Sequence, residues 1–109
     1  MKKNKLQFFG NNEASKYLEK QNCTILWKNC DFIRGKFDII AKDKDELVFC
    51  KVKVQEDLKE REDDLKSLLG AAKLYMNENN IKSMPIRFDV IEVYVNNNRF
   101  FINQITKDI

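Results

Sequence analysis

The sequence contains no histidine. That excludes imidazole bases, Ser-His-Asp and Cys-His catalysis, and every histidine-containing zinc site. Cysteine is scarce: Cys23, Cys30 and Cys50 form no CxxC pair and are odd in number. They are expected as reduced, packed thiols of a reducing compartment, with no partner base to make one of them a nucleophile. Gly10, Gly35 and Gly70 are the only glycines and Pro85 the only proline, and no linker or internal repeat is visible. No apolar run approaches the roughly 20 residues of a membrane span. Met1-Lys2-Lys3-Asn4-Lys5 leads into no signal-like hydrophobic stretch. A cytoplasmic protein with no membrane contact is the expectation.

What the sequence has is enough apolar material for a core. Of 109 residues 43% are hydrophobic, with eight Phe and one Trp. That suits one folded domain over 1–109 and excludes wholesale disorder. The net charge of +3 is unevenly placed. Residues 1–54 carry 12 basic and 7 acidic groups, residues 55–109 carry 8 and 10, so the basic potential belongs to the first half. Lys, Asn and Ile number 16, 12 and 10, a bias that itself loads lysine onto surfaces.

Periodicity predicts a helix from Asn11 to about Asn22, capped by Asn11 or Asn12. Strands are expected at about Cys23–Asp31, Phe37–Ile40 and Leu47–Val54, the last two joined by the polar turn Lys42–Asp45. A long helix follows at about Asp57–Asn77, with Leu58, Leu65, Leu68, Leu69, Ala72 and Met76 on one face. Pro85 forbids further helix. A strand at Ile86–Val95, a turn at Asn96–Asn98 and a short edge strand at Arg99–Asn103 complete the chain. The order α-β-β-β-α-β-β is that of an α/β or α+β sheet protein.

In the third strand Val48, Cys50, Val52 and Val54 point one way, and Leu47, Phe49, Lys51, Lys53 and Gln55 the other. The second face begins apolar and ends charged, as a strand does when it leaves a core for a cleft or an open edge. A hairpin pairing Ala41 with Glu46 sets Lys36 opposite Lys51 and Asp38 opposite Phe49. A two-residue shift sets Asp38 opposite Lys51 instead. Either register gathers Lys36, Asp38, Lys51 and Lys53 on one face. Their mutual repulsion calls for a compensating group: Asp38, the run Glu60, Glu62, Asp63 and Asp64, or a bound anion. Arg87 and Asp89 share a strand face and are expected to pair with each other or to cap the sheet. Trp27 is expected in core or sheet packing, Tyr75 at the core boundary, and Phe100-Phe101 at the sheet edge, where an exposed pair could serve dimerisation.

Six segments in order resemble one family. Gly10-Asn11-Asn12-Glu13-Ala14 with Tyr17-Leu18 resembles the opening helix of the YraN-type uncharacterised proteins. Ile25-Leu26-Trp27-Lys28-Asn29, Gly35-Lys36-Phe37-Asp38-Ile39-Ile40-Ala41 and Val48-Phe49-Cys50-Lys51-Val52-Lys53 are similar to their next three segments. Ala71-Ala72-Lys73-Leu74-Tyr75 and Arg87-Phe88-Asp89-Val90 are similar to later ones. The resemblance implies a restriction-endonuclease-like mixed sheet, in which an Asp on one strand and a Glu-x-Lys on the next hold Mg²⁺ for phosphodiester cleavage. Asp38 then matches the metal Asp, Lys53 the catalytic Lys, and Glu13 an acid of the first helix. Two positions depart: the family's acids are Lys36 and Lys51 here.

For these four positions the family pattern of three acids and one Lys becomes one Asp and three Lys. Two charges about 4 Å apart interact by roughly 1 kcal/mol in water and about 4 kcal/mol near a protein surface. Two added ammonium groups outweigh Asp38. The implied function is nucleic-acid binding, DNA rather than RNA, by a pseudo-nuclease with no cofactor, using Lys36, Lys51, Lys53 and Lys73 on phosphates. One alternative is an atypical Mg²⁺- or Mn²⁺-dependent endonuclease using Glu13, Asp38 and Lys53, with Glu46 or Asp31 brought into the site. The other is an interaction or scaffold protein whose lysines are a solvated face. Oligomeric state stays open.

Overall fold

The computed structural model describes residues 2–29, 37–54, 65–96 and 99–107. The elements are α1 (Lys2–Lys20), β1 (Thr24–Lys28), β2 (Ile39–Asp43), β3 (Glu46–Val54), α2 (Leu65–Glu78), β4 (Ile86–Asn96) and β5 (Arg99–Lys107). The order is the expected one, and the fold is α+β: a five-stranded mixed sheet, β1-β2-β3-β4-β5, with a helix on each face. Only β3 and β4 run parallel, and they are the pair separated by α2. A parallel pair requires such a crossover, whereas antiparallel neighbours need none.

Helix α1 begins at Lys2, not at the expected cap Asn11 or Asn12. Gly10 does not interrupt it, because the sheet lies directly beneath: a Cβ built on Gly10 would come 3.1 Å from Val54 Cγ1. Close packing therefore uses the residue that looks like a breaker. Ala14 and Leu18 continue that face into a cluster with Ile39, Ala41, Val48, Cys50, Val52, Val54, Ile91 and Val93. Both helices end on an asparagine. Asn22 (φ 69°) and Asn80 (φ 57°) take the left-handed conformation. Cys23 N–H then donates to Leu18 C=O, Asn22 to Glu19, Ile81 to Met76 and Asn80 to Asn77. These are Schellman endings, each with the apolar contact (Cys23 on Leu18, Ile81 on Met76) that accompanies the motif.

On the other face α2 lays Ala72 and Tyr75 over Phe37, Ile40, Leu47, Phe49 and Phe88. The Phe37 ring lies 5.0 Å from Phe49 and 5.7 Å from Phe88, and Tyr75 meets Phe49 edge-on at 5.8 Å. Tyr75 is thus core and not boundary. The alternation expected for β3 holds, with Leu47 and Phe49 under α2 and Val48, Cys50, Val52 and Val54 under α1. The hairpin turns on Lys44-Asp45, with Lys44 at φ 58°, so Asp43 pairs with Glu46 and Ile39 with Cys50. This is the shifted register, two residues from the first one expected.

The other boundaries move too. β1 stops at Lys28 and carries an irregularity between Ile25 and Trp27, and β2 runs on to Asp43. β5 has nine residues where a short strand was expected, because its ladder with β4 continues unbroken to Phe88↔Lys107. Trp27 is 45% exposed, since β1 is an edge strand and not part of the core. Lys36, Cys30, Asp31, Gln55, Leu58 and the acidic run Glu60–Asp64 lie outside the described residues. Cys23 and Cys50 are free, buried thiols. No helix among the described residues is long and apolar enough to cross a membrane.

Candidate functional site

The site lies where β3 outruns β2. The β2 ladder starts at Ile39↔Cys50, so among the described residues Lys51–Val54 has β4 on one side and no strand on the other. The open backbone edge is closed by side chains. Asp38 N–H donates to Cys50 C=O at 2.8 Å, and Val52 N–H donates to Asp38 Oδ2 at 2.8 Å. Asp38 therefore stands across from Lys51, and its carboxylate takes the place of the next backbone acceptor. The Val52 carbonyl is met from α1, where Gln7 Nε2 donates to it at 2.9 Å.

A chain of amides ties the same groups together. Gln7 Nε2 also donates to Asn11 Oδ1 (3.0 Å), Asn11 Nδ2 to Asn29 Oδ1 (2.7 Å), and Asn29 N–H to Asp38 C=O (2.8 Å). Asn11 is buried. The hydrogen bonds close a ring through α1, the end of β1, Asp38 and β3. A buried network of this kind is worth having only when every member is satisfied, and then it fixes one geometry. Asn11 was expected as a helix cap; the helix runs through it and its side chain serves this ring.

Lys51 and Lys53 project on the α2 face, beyond Phe49. Lys53 is 6% exposed, its stem packed in the sheet. Its register neighbour on β4 is Glu92, a strand spacing of about 4.8 Å away at the backbone. Glu92 Oε1 accepts from Tyr94 Oη and from Asn103 Nδ2, each at 3.0 Å. The hydrogen bond to Glu92 pushes the Tyr94 phenol up from its ordinary value. Among the described residues the face thus carries Asp38 and Glu92 against Lys51 and Lys53, balanced where the sequence implied an excess of lysine. Glu92 was missed because its place beside Lys53 depends on the parallel register of β3 and β4, which the intervening helix sets.

The remaining expected site residues are not brought here. Glu13 lies on α1, about 200° around the helix from Asn11, and pairs with Lys16 at 3.4 Å. Lys73 is exposed on α2, one position from buried Ala72. Glu46 does not migrate into the site: it sits at the opposite end of β3 and pairs with Arg87 at 3.0 Å. Lys36 is outside the described residues. No group of three or more His, Cys, Asp or Glu side chains is placed to hold a metal ion among the described residues. Among the described residues at this strand end, a hard divalent cation would meet Asp38, already accepting from Val52, and Glu92, already accepting from Tyr94 and Asn103, beside two ammonium groups. Such cations take six or more oxygen ligands, and this donor set does not fit one.

The opposite end of the sheet is built around Arg87. Its guanidinium meets Asp89 at 3.1 Å, Glu46 at 3.0 Å and Asp43 at 3.3 Å, and Gln104 Nε2 donates to Asp89 at 2.6 Å. The expected Arg87–Asp89 pair is present. Burial works against the Arg87 charge and is overcome by the hydrogen bond to Asp89 and the other carboxylates, so its pKa is raised. An open groove of about 400 Å³ at this end is lined by Asp43, Lys44, Asp45, Glu46 and Pro85, away from the lysines.

Comparison with known proteins agrees with the resemblance drawn from the motifs. The model of the uncharacterised protein family UPF0102 matches residues 10–93. A UPF0102 protein of Clostridioides difficile is 39% identical over 94 residues, covering 80% of this chain and 82% of its own length. One of Carboxydothermus hydrogenoformans is 34% identical over 97 residues (83% and 82%), and one of Clostridium perfringens 36% over 106 residues (88% and 86%). The matched span runs from Gly10, which packs on β3, to Val93 beside Val54, and takes in Asn11, Asn29, Asp38, Lys51, Lys53 and Glu92, while Gln7, Tyr94 and Asn103 fall outside it. The chain belongs to the uncharacterised protein family UPF0102.

Proposed function

We propose that this chain is a nucleic-acid-binding domain with an endonuclease-like site in which cleavage has been lost, acting on DNA rather than RNA and without a cofactor. The observation that carries the reading is Lys51 opposite Asp38, with Lys53 beside Glu92. Two lysines stand at this strand end, Lys51 half-buried and across from Asp38, Lys53 buried and in register with Glu92. Ammonium groups so placed attract phosphate without a metal, and they occupy the positions from which the family pattern holds one. Lys36, expected on the same face from strand alternation, lies outside the described residues. Lys73 contributes from α2 only if the polymer extends over that helix.

The test is fluorescence anisotropy of a fluorescein-labelled DNA oligonucleotide titrated with the protein at several salt concentrations. Lys51→Ala is expected to weaken binding and to flatten the slope of log K against log salt by about 0.7–0.9 for each phosphate that the variant no longer neutralises. A parallel cleavage assay with Mg²⁺ or Mn²⁺, against an EDTA control, is expected to show no product. The double variant Lys36→Glu/Lys51→Glu returns acids to the two departing positions and asks whether cutting reappears. Absence of binding at low salt overturns the proposal. EDTA-sensitive cutting by the natural sequence overturns its second half.

A further inference from the structure

From the sheet face beside these lysines we infer that the nucleic acid is single-stranded where it is bound, its unpaired bases stacking on Phe101 and Tyr94. The inference rests on the nucleic-acid reading and adds the class of polymer. Strand alternation places Phe101, Asn103 and Ile105 of β5 on the face that carries α2, Lys53 and Glu92, because Asn103 reaches Glu92 there. Helix α2 covers Phe49 and Phe88 but leaves this part of the sheet open: Phe101 is 50% and Ile105 40% exposed.

Two consecutive phenylalanines show the contrast. Phe100 points to the α1 face and meets the Phe9 ring at 5.0 Å. Phe101 points the other way, has no ring partner among the described residues, and stands opposite Tyr94 in the β4–β5 register. Cross-strand neighbours have Cβ atoms about 5 Å apart, so the two side chains stand side by side on this face without their rings stacking on each other. The Tyr94 hydroxyl and the Asn103 amide both end on Glu92, which fixes the polar side of the patch.

Charge surrounds the aromatic patch. Arg99 and Lys107 terminate β5 on the same face, and Lys51 and Lys53 lie two strands away. Among the described residues Lys51, Lys53, Arg99 and Lys107 outnumber Asp38 and Glu92 on this face, which complements a phosphate backbone. An aromatic pair on an open sheet face, edged by cations and one hydrogen-bonding amide, is the arrangement on which unpaired bases stack. A duplex hides its base faces and has no use for it.

The experiment compares three labelled probes at fixed salt: dT20, a 20-base-pair duplex, and an abasic 20-mer with the same number of phosphates. The dT20 strand is expected to bind on the order of tenfold tighter than the abasic strand. Phe101→Ala should remove about that factor for dT20 and leave the abasic strand and the salt slope unchanged. Because Phe101 is half exposed, the variant keeps the fold, and thermal unfolding verifies it. Phe101→Trp should restore binding, and Phe101→Leu, apolar but without a π-face, should not.

Equal affinity for dT20 and the abasic strand, or full binding by Phe101→Leu, overturns the stacking inference while phosphate binding stands. Failure of all three probes overturns both. Sedimentation velocity on the same variants supplies the remaining arm. If Phe101→Ala converts a dimer to a monomer and leaves dT20 affinity unchanged, the patch is an interface between two copies of this chain, and the inference falls.

Discussion

The two ends of the β3–β4 pair are held by opposite means. Where the strands begin, one guanidinium is surrounded by the carboxylates of Asp43, Glu46 and Asp89, and Asp89 has no exposed side-chain surface. Where they run out, two lysines and two acids share an open face, and the backbone edge is closed by neutral amides and one aspartate. The first end ties together the β2–β3 hairpin, β4 and β5 at one point, so its groups are consumed by the fold. The second leaves Lys51 half-buried and Lys53 almost covered. The difference teaches that charge density alone does not mark a site. The densest ionic cluster among the described residues is a structural clasp, and two acids that line the open groove beside it, Asp43 and Glu46, are already engaged by Arg87.

Arg87→Ala makes the largest break. It leaves the buried Asp89 carboxylate with Gln104 as its remaining partner and sets three acids against one another. Removing one partner of a buried ion pair costs about 3–5 kcal/mol, and urea unfolding should show a loss of that size. Lys53→Ala, at the other end, should cost far less stability and more affinity for the oligonucleotide. If the two variants exchange their effects, the assignment of clasp and site is reversed.

Asp38 sharpens the comparison, because it belongs to the candidate site and yet does a structural task. Asp38→Ala leaves the Val52 N–H without an acceptor and should cost about 1–3 kcal/mol in thermal or urea unfolding. Asp38→Asn keeps an acceptor oxygen there and should lose much less. The same Asn variant removes a negative charge across from Lys51, so it should bind oligonucleotide more tightly than the natural protein. A stability loss in Asn as large as in Ala would mean that the charge, and not the cap, holds β3.

Much of this architecture was legible because it depends on local patterns. Alternation along Leu47–Val54 placed Lys51 and Lys53 on the α2 side, and the i, i+2 spacing of Arg87 and Asp89 placed them on one face. The motif order named the family. What was not legible depends on residues distant in sequence. Gly10, Asn11 and Asn12 look like a helix start, but the packing of Gly10 on Val54 and the burial of Asn11 against Asn29 carry the helix through them. Asn103 and Gln104 look like the end of a strand, yet their partners Glu92 and Asp89 continue it. The hairpin register depended on which two residues of a polar run made the turn. Glu92, which changes the charge balance of the site, became visible only with the parallel register.

The smallest effect lies between the two ends, at Cys50 in the middle of β3. Burial pushes its thiol well above the ordinary value of 9.0, and the carboxylate of Asp89 adds to the rise. Cys23 is raised for the same first reason, with Asp43 next. In the unfolded chain the thiol ionises near 9.0, and in the native protein only at higher pH. Between those values the unfolded state binds fewer protons, so the contribution is whole below pH 9 and is lost as pH rises toward the native pKa. Urea midpoints measured from pH 7 to 10.5 should therefore fall more steeply above pH 9 in the natural protein than in Cys50→Ala, where this thiol is gone. Arg87→Lys keeps a cation at the clasp but loses the fork that binds Asp89 and Glu46 together. If the clasp carboxylates act on Cys50 as well as burial does, that variant should change the alkaline slope. Lys51→Ala, at the open end, should not.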